Sequence, residues 1–461
     1  MSGAASDRPE SAPDRHEAGA DTPTAASDRR EAASDRRGGA SDRLGTASDL
    51  SGGASKPEAV SDRRRSVPNR PGALPDQSSS ARARGWTEPT TQVWSERADM
   101  AESAIASRHL RALWACPGTE LGVVGWPATK RERGFAHWHY WWQAHLIDCA
   151  VDAANRQPTP ARRKRLRALT RSHRLRNLTG WTNRYYDDMA WLAIALERAV
   201  RTQRITEARG ALVALEKPLY EGWAPERGGG LPWRVGSDFF NTPANGPAGI
   251  ALARLGHHAR AQEMADWLDG TLRDPRTGLI FDGIHLPSGE MERAIFSYCQ
   301  GVVLGLETEV AMHTGEARHL ERVHRLLTVV EGQLTTNGVV DGGGGGDGGL
   351  FNGILVRNLA QVALMLPGAD REQRADRRKA AAIVRASAKA AWANRLQVEG
   401  EPLFGHNWQK SATLPGGSAG AGRFTEGGSV SASRVPERDL SVQLSGWLLM
   451  ESAYLVSAAG L

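Results

Sequence analysis

The chain has 461 residues, a formal net charge of +6 and 40% hydrophobic residues, enough for one large domain or two to three average ones. Its cysteines, Cys116, Cys149 and Cys299, are odd in number and far apart, which argues against a disulfide framework and a zinc site. Neither a secretion signal nor an apolar run of about 18 residues is evident, so we expect a cytoplasmic protein without a membrane span.

The first part of the chain differs in composition from the rest. Residues 1–85 contain no Phe, Tyr, Trp or Cys and repeat a short Ala-Ser-Asp-Arg unit. Such a segment has too little apolar surface to offset the entropy lost on ordering, so we predict that it is disordered. The folded domain is therefore predicted to span residues 86–461.

The rest of the chain is typical of successive helices. Apolar residues recur three and four positions apart, as in Leu192, Leu196 and Ala199, and no convincing series of alternating strands is evident. The predicted helices are 92–114, 138–154, 188–202, 205–220, 247–255, 258–271, 298–313, 317–331, 350–366, 371–392 and 440–458.

Long segments rich in Gly, Pro, Asn, Asp and Trp separate several of these helices, at 221–244, 282–297, 337–349 and 404–437. Loops of this length in a compact domain are usually functional. About a dozen helices of similar length, joined alternately by short turns and long loops, fit an α/α toroid whose loops form a cleft at one end.

Residues 162–176 hold eight Lys and Arg side chains, and no acidic residue lies between Pro158 and Tyr186. The run is compatible with a solvated helix or linker, or with binding to an anionic polymer. No nucleic-acid motif accompanies it, so we expect no nucleic-acid partner.

Two adjacent aspartates, Asp187 and Asp188, lie among aromatic residues at the start of a predicted helix. Aromatic rings stack on sugar faces, and burial separates the pKa values of neighbouring carboxyl groups, so the pair suits sugar cleavage. Aspartate is also favoured at the first turn of a helix, so the pair could instead serve as a cap.

Seven motifs follow one another in the chain. They are YWWQAHLID (140–148), YYDDMAW (185–191), GGLPWR (229–234), NTPANGP (241–247), YCQG (298–301), LFNGI (350–354) and LSVQLSGW (440–447). Together they resemble the motifs of glycoside hydrolase family 76, the family of α-1,6-mannanases and related transglycosylases. The resemblance implies an all-α (α/α)6 barrel that acts on α-mannan or a mannose-containing oligosaccharide without a metal or organic cofactor. A mannan-active transglycosylase and a catalytically silent glycan-binding barrel remain alternatives, and we expect a monomer.

The resemblance also assigns roles to residues. Asp187 would be the nucleophile and Asp188 the general acid/base of a retaining double displacement, which needs carboxyl groups roughly 5–5.5 Å apart. The rings expected to stack on sugar are Trp141, Trp142, Trp181, Tyr185, Tyr186 and Trp233, and the polar side chains expected to bind it are Gln143, Arg234, Asp238, Asn241, Asn245 and Gln300. The alternatives are that the helical tryptophans belong to the core and that the asparagines bind loop backbone.

Two further sequence patterns resemble cofactor or metal motifs but lack the context that such sites need. The glycine run at 341–349 contains a GxGxxG match without the βαβ pattern that a dinucleotide site needs, so we predict a flexible cleft loop. His137, His139 and His145 lack a converging set of acidic residues or cysteines, so we expect no metal site.

Overall fold

The structure is a computed structural model that describes residues 88–425 and 428–461. The predicted disordered segment, residues 1–85, lies outside this part of the chain. Helices dominate the described residues, as the spacing of apolar residues predicts. They are α1 Thr91–Arg108, α2 Lys130–Arg133, α3 Tyr140–Arg156, α4 Pro160–Arg176, α5 Tyr186–Gln203, α6 Arg209–Glu221, α7 Thr242–Arg254, α8 His258–Leu272, α9 Ser297–Thr314, α10 Ala317–Leu334, α11 Phe351–Met365, α12 Arg371–Asn394 and α13 Leu440–Ala458.

Short strands form small antiparallel sheets within the loops. β1 pairs with β2, β3 with β4 and β4 with β5, β6 with β7, and β8 with β9. Their bounds are β1 Leu110–Arg111, β2 Leu121–Gly122, β3 Phe239–Asn241, β4 Gly283–His285, β5 Met291–Glu292, β6 Thr335–Thr336, β7 Val339–Val340, β8 Leu396–Val398 and β9 Glu401–Leu403. No strand among the described residues exceeds three residues, so these sheets shape loops and do not form a layer of the fold.

Six helices form a closed inner ring. Helix α3 packs against α5, α5 against α7, α7 against α9, α9 against α11 and α11 against α13, and α13 returns to α3. The helices α4, α6, α8, α10 and α12 pack outside this ring, and α1 packs on α13 to complete the outer layer. The predicted (α/α)6 barrel is confirmed.

Burial separates the two layers. Inner helix α9 is buried along most of its length, whereas outer helix α10 buries a stripe that contains Val323, Leu326, Leu327 and Val330. The inner helices approach one another closely at glycines. A Cβ on Gly301 of α9 would lie 2.8 Å from the Cα of a leucine on α11, so only glycine fits this crossing.

A repeated side-chain contact ties loops to the inner ring. The fourth residue of α3, α7, α9 and α13 is a buried amide that binds both the N–H and the C=O of one residue in the preceding segment. The pairs are Gln143 with Gly122, Asn245 with Leu231, Gln300 with Ile280, and Gln443 with Phe404. These amides satisfy backbone groups that would otherwise be buried without partners, and they fix the segments that enter the inner helices.

Several predicted helix boundaries were wrong. The helix expected at 92–114 ends at Arg108, because β1 follows and Trp114 has φ +49°, outside the α-helical region. Helix α7 begins at Thr242 and not at Pro247, because Asn241 caps it by accepting a hydrogen bond from the N–H of Ala244 at 3.1 Å.

The basic run forms helix α4, which Thr159 caps. Leu166 and Leu169 face the core. Several of its arginines are in ion pairs, including Arg162 with Glu102 at 2.6 Å. The run is therefore a helix and not a linker. No helix in the described part of the chain is long and apolar enough to cross a membrane.

Candidate active site

A cavity of about 750 Å³ opens at the end of the barrel where the inner helices begin. It is lined by residues from the starts of α3, α5, α7, α9 and α11 and from the loops that lead into them. Its carboxyl side chains belong to Asp187, Asp188, Asp238, Asp282, Glu292 and Asp347. Its rings belong to Tyr140, Trp141, Tyr185, Trp191, Trp233, Phe239, Phe296, Tyr298, Phe351 and Phe424. The cavity therefore combines acidic groups with apolar ring faces.

Asp187 and Asp188 are the second and third residues of α5. The N-cap is Tyr185, whose side chain makes no capping hydrogen bond. The Oδ1 of Asp187 accepts a hydrogen bond from the N–H of Asp188 at 2.9 Å. Both side chains are partly exposed and line the cavity. The helix dipole favours them here, yet neither is the cap residue.

The Asp187 carboxyl accepts hydrogen bonds at both oxygens. Besides the backbone contact at Oδ1, its Oδ2 accepts a hydrogen bond from Nε1 of Trp233 at 3.0 Å. Burial at the floor of the cavity raises the pKa of Asp187 to about 7, and the nearby charge of Asp347 acts in the same direction. The hydrogen bonds from Asp188 and Trp233 oppose this rise, since they stabilise the ionised form.

Asp188 has a different environment. Its Oδ2 accepts one side-chain hydrogen bond, from Nδ2 of Asn183 at 2.5 Å. Burial raises its pKa well above the ordinary value, and the charge of Asp187 raises it further. Because Asp187 has two donors and Asp188 is repelled by Asp187, Asp188 is the group that retains its proton to higher pH.

Trp233 is held against the start of α5 by backbone hydrogen bonds. Its carbonyl accepts from the N–H of Tyr186 at 2.9 Å, and its own N–H donates to the carbonyl of Phe239 at 2.8 Å. Gly428, with φ +85°, lies so close that a Cβ there would be 2.7 Å from the indole ring. The indole N–H is thus directed at Asp187 by backbone on both sides.

Asp347 is a cavity residue to which sequence reasoning gave no role. Its Oδ1 accepts hydrogen bonds from Nε1 of Trp141 at 3.1 Å and Nε1 of Trp142 at 2.9 Å, and its Oδ2 accepts from the N–H of Val430 at 2.6 Å. These contacts attach the glycine-rich loop to α3 and to the segment at Val430. Its position just before inner helix α11 could have identified Asp347 as a cavity residue, because other cavity residues also lie at helix starts.

Asp282 was also missed. It lies before β4, and burial together with the charge of Glu292 raises its pKa to about 7. The thiol of Cys299 donates a weak hydrogen bond to it, with an S–O distance of 3.8 Å. Asp282 therefore adds a partly protonated carboxyl group to the cavity at neutral pH.

Several residues predicted to bind substrate line the cavity: Trp141, Tyr185, Trp233, Arg234, Asp238 and Asn241. The rings of Tyr185 and Trp233 meet edge to face, with centroids 5.2 Å apart. The carboxyl of Asp238 lies 3.3 Å from Nδ1 of His285 near the cavity mouth. Asn241 also caps α7, so the backbone role considered for it is present.

Other predicted substrate-binding residues do not line this cavity: Trp142, Gln143, Trp181, Tyr186, Asn245 and Gln300. Gln143, Asn245 and Gln300 were predicted to bind sugar in the cleft, but their amides are buried and bind loop backbone. Trp142 is 2% exposed, and its indole N–H donates a hydrogen bond to the cavity residue Asp347. Trp181 and Tyr186 pack on the hydrophobic core.

The three histidines considered for a metal site lie apart. His137 is exposed, His139 lines the cavity, and His145 is buried between the rings of Trp141 and Trp191. Burial lowers the pKa of His145 to about 3, so it is neutral. Within the described residues, the group with metal-ligand spacing is His324, Glu372 and Asp376, on outer helices α10 and α12.

A helical barrel whose inner-helix starts present clustered carboxyl groups and aromatic rings to one cleft has the architecture of a glycoside hydrolase. The sequence profile of glycosyl hydrolase family 76 matches residues 98–443. The chain belongs to this family, and the resemblance noted from its motifs is confirmed. No curated protein sequence matches the chain.

Solved structures agree with this assignment. The GH76A α-1,6-mannanase from Salegentibacter sp. HEL1_6 is 28% identical, with a TM-score of 0.66, and the match covers 79% of this chain and 99% of that one. An inactive variant of the same enzyme, with two adjacent aspartates replaced by asparagine, was solved with α-1,6-mannotriose and is 29% identical over the same shares, again with a TM-score of 0.66. The Lin0763 protein from Listeria innocua is 25% identical, with a TM-score of 0.64, over 78% of this chain and 96% of that one.

Proposed function

We propose that this chain is a retaining glycoside hydrolase that cleaves α-1,6-mannosidic linkages in mannan-type glycans. The observation that carries the proposal is the Asp187–Asp188 pair in the cleft, with different hydrogen-bond environments for its two carboxyl groups. The Salegentibacter enzyme is an α-1,6-mannanase, and its variant lacking two adjacent aspartates is inactive. The present sequence has a single pair of adjacent aspartates, which supports equating the two pairs.

In the first step, an ionised oxygen of Asp187 attacks the anomeric carbon of the mannosyl unit. The bond from that carbon to the leaving oxygen breaks, and Asp188 gives its proton to the leaving oxygen. The products are a mannosyl ester on Asp187 and a shortened glycan. The two hydrogen bonds to Asp187 support this division of roles, because they stabilise its anion relative to that of Asp188.

In the second step, Asp188 accepts a proton from a water molecule. The water oxygen attacks the anomeric carbon, and Asp187 leaves as a carboxylate. Two inversions give net retention of the anomeric configuration. The pair then returns to its starting protonation state, with Asp187 ionised and Asp188 protonated.

The remaining cavity residues would bind the sugar. Trp141, Tyr185 and Trp233 offer ring faces for pyranose stacking. Asp347 orients the indoles of Trp141 and Trp142, and its ionised form would stabilise the positive charge that develops on the sugar ring in the transition state.

The test is product analysis on α-1,6-mannooligosaccharides with the wild type, Asp187→Asn and Asp188→Asn. We expect mannose or shorter oligosaccharides from the wild type and a rate at least ~10³-fold lower in each variant, because each removes one of the two reacting groups. Asp370→Asn is the matched control, because Asp370 precedes outer helix α12 and makes no side-chain cap bond. Equal activity in all four proteins would refute the mechanism.

The same assay separates the alternatives. Longer oligosaccharides without hydrolytic products would identify a mannan-active transglycosylase. Calorimetric binding of α-1,6-mannotriose without any product after long incubation would identify a catalytically silent glycan-binding barrel.

A further inference from the structure

A second cavity, of about 660 Å³, adjoins the catalytic cleft. The two cavities share His139, Phe424 and Val430 among their lining residues, which places them side by side. Helix α2 forms one wall, and residues within 418–424 and 430–431 form another. We call this cavity the basic groove, defined by Lys130, Arg131 and Arg423.

These three cations are exposed. Among the described residues, none of them has a carboxylate oxygen within 4.0 Å, whereas Arg438 in the same groove is paired with Glu132. The three cations come from two separate segments, α2 and the 418–425 loop. Their charge therefore converges on the groove and does not simply follow one helix face.

The acidic residues of the basic groove already have partners. Glu132 accepts hydrogen bonds from Nη1 of Arg438 at 2.9 Å and from the N–H of Thr129 at 2.6 Å. Asp439 accepts from the N–H of Gly346 at 2.7 Å and the N–H of Ser433 at 3.0 Å. Neither carboxylate is thus directed at the three cations, which leaves the groove with an excess of positive charge.

The catalytic cleft has the opposite character. It presents six carboxyl side chains and one arginine, Arg234. A ligand with negative charge is repelled by the cleft and attracted by the groove, so charge would fix both its position and its direction. A neutral mannan would gain nothing from this difference.

We propose that the basic groove binds an anionic substituent, a phosphate or a carboxylate, carried by the glycan whose mannosidic bond lies in the cleft. The guanidinium groups of Arg131 and Arg423 match the paired oxygens of either anion, and Lys130 adds a point charge. His139 stands at the junction of the two cavities with its ring 4.5 Å from that of Trp142. This proposal rests on the proposed function, because it extends the same substrate beyond the cleft.

The test compares an α-1,6-mannotetraose with the same oligosaccharide carrying a phosphate monoester at either terminus, and with one ending in a hexuronic acid. At low salt we expect the wild type to have a kcat/KM about ten-fold higher for one charged substrate than for the neutral one. The preference should shrink at high salt, because exposed charges are screened. The substrate that gains identifies the anion and the end that lies in the groove.

Two triple variants with the same charge change locate the effect. Lys130→Gln/Arg131→Gln/Arg423→Gln should lose the ratio of charged to neutral kcat/KM. Arg163→Gln/Lys164→Gln/Arg174→Gln should keep it, since these exposed α4 residues do not line the groove. Equal kcat/KM for charged and neutral substrates in the wild type would overturn the proposal, as would a preference that persists in the groove variant.

A binding measurement separates this proposal from the proposed function. Calorimetry with Asp188→Asn measures affinity for the neutral and charged oligosaccharides without turnover. If the wild type cleaves none of them but the charged one binds about ten-fold more tightly, and this gain is lost on adding the groove substitutions, the groove stands and the hydrolase assignment fails. If neutral and charged oligosaccharides bind equally, the groove assignment is overturned.

Discussion

The hydrogen bond from Trp233 to Asp187 allows a sharp test of how the site sets the ionisation of its nucleophile. Phenylalanine at this position keeps an aromatic ring against Tyr185 and removes the donor 3.0 Å from Oδ2 of Asp187. Because this bond stabilises the ionised carboxyl, its loss raises the pKa of Asp187 further above about 7. Asp187 then loses its charge at a higher pH in Trp233→Phe than in the wild type.

The size of the change follows from the energy of the bond. Hydrogen bonds to charged groups contribute about 1.5–3 kcal/mol, and one pKa unit corresponds to about 1.4 kcal/mol. Since Asp187 partly faces the cavity and is screened there by solvent, we expect the lower end, a rise of about one unit. At a pH below both values, kcat/KM falls about ten-fold for that reason alone.

The assay is kcat/KM for α-1,6-mannotetraose between pH 4 and pH 9. The acidic limb of the wild-type profile should lie near pH 7, and that of Trp233→Phe about one unit higher. Trp141→Phe is the matched control, because its indole donates to Asp347 and not to Asp187. An unshifted limb in Trp233→Phe, or an equal upward shift in Trp141→Phe, would refute the reasoning.

The other predictions concern the fold. Gln300→Met should lower the free energy of unfolding by about 2–4 kcal/mol, because two buried backbone groups of Ile280 lose their partner. The matched control Gln92→Met, at an exposed position, should change it by less than about 0.5 kcal/mol. A raised KM with unchanged stability in Gln300→Met would contradict this and would support the predicted contact between Gln300 and sugar. His173 is fully buried and its pKa is lowered to about 3, so the unfolded state binds more protons below pH 6.5 and stability falls as the pH drops from there towards 3. Urea titrations at pH 4, 5 and 6 should show a slope smaller by up to about 1.4 kcal/mol per pH unit in His173→Gln, and an unchanged slope would contradict this. Light scattering should give the 49.8 kDa of one chain, and twice that mass would contradict the predicted monomer.

The fold was largely predictable because helical periodicity persists through the barrel. Helix α13 was predicted with its observed bounds, and α8 with an error of one residue at its end. Errors occur where local chemistry overrides periodicity. Asn241 starts α7 before the apolar pattern begins, and β1 ends the first helix before its pattern does.

The cleft residues were harder to predict than the helices. Polar side chains at helix starts carry one of two roles, and composition does not distinguish them. Asn245 and Gln300 bind loop backbone, whereas Asp187 lines the cavity, although all lie in the first turns of inner helices. Asp347 was missed because a glycine run gives no periodicity, and its partners are more than 80 positions away in the chain.

The most direct test of the central claim is the anomeric configuration of the first product. We expect ¹H NMR of wild-type protein with an α-1,6-mannooligosaccharide to show the α-anomer first, with β-anomer growing only by mutarotation, and no product from Asp187→Asn. Retention would follow from two displacements: Asp187 attacks the anomeric carbon to form a covalent intermediate, and a water molecule deprotonated by Asp188 then hydrolyses it. A β-anomer as the first product, or full activity in Asp187→Asn, would contradict the account.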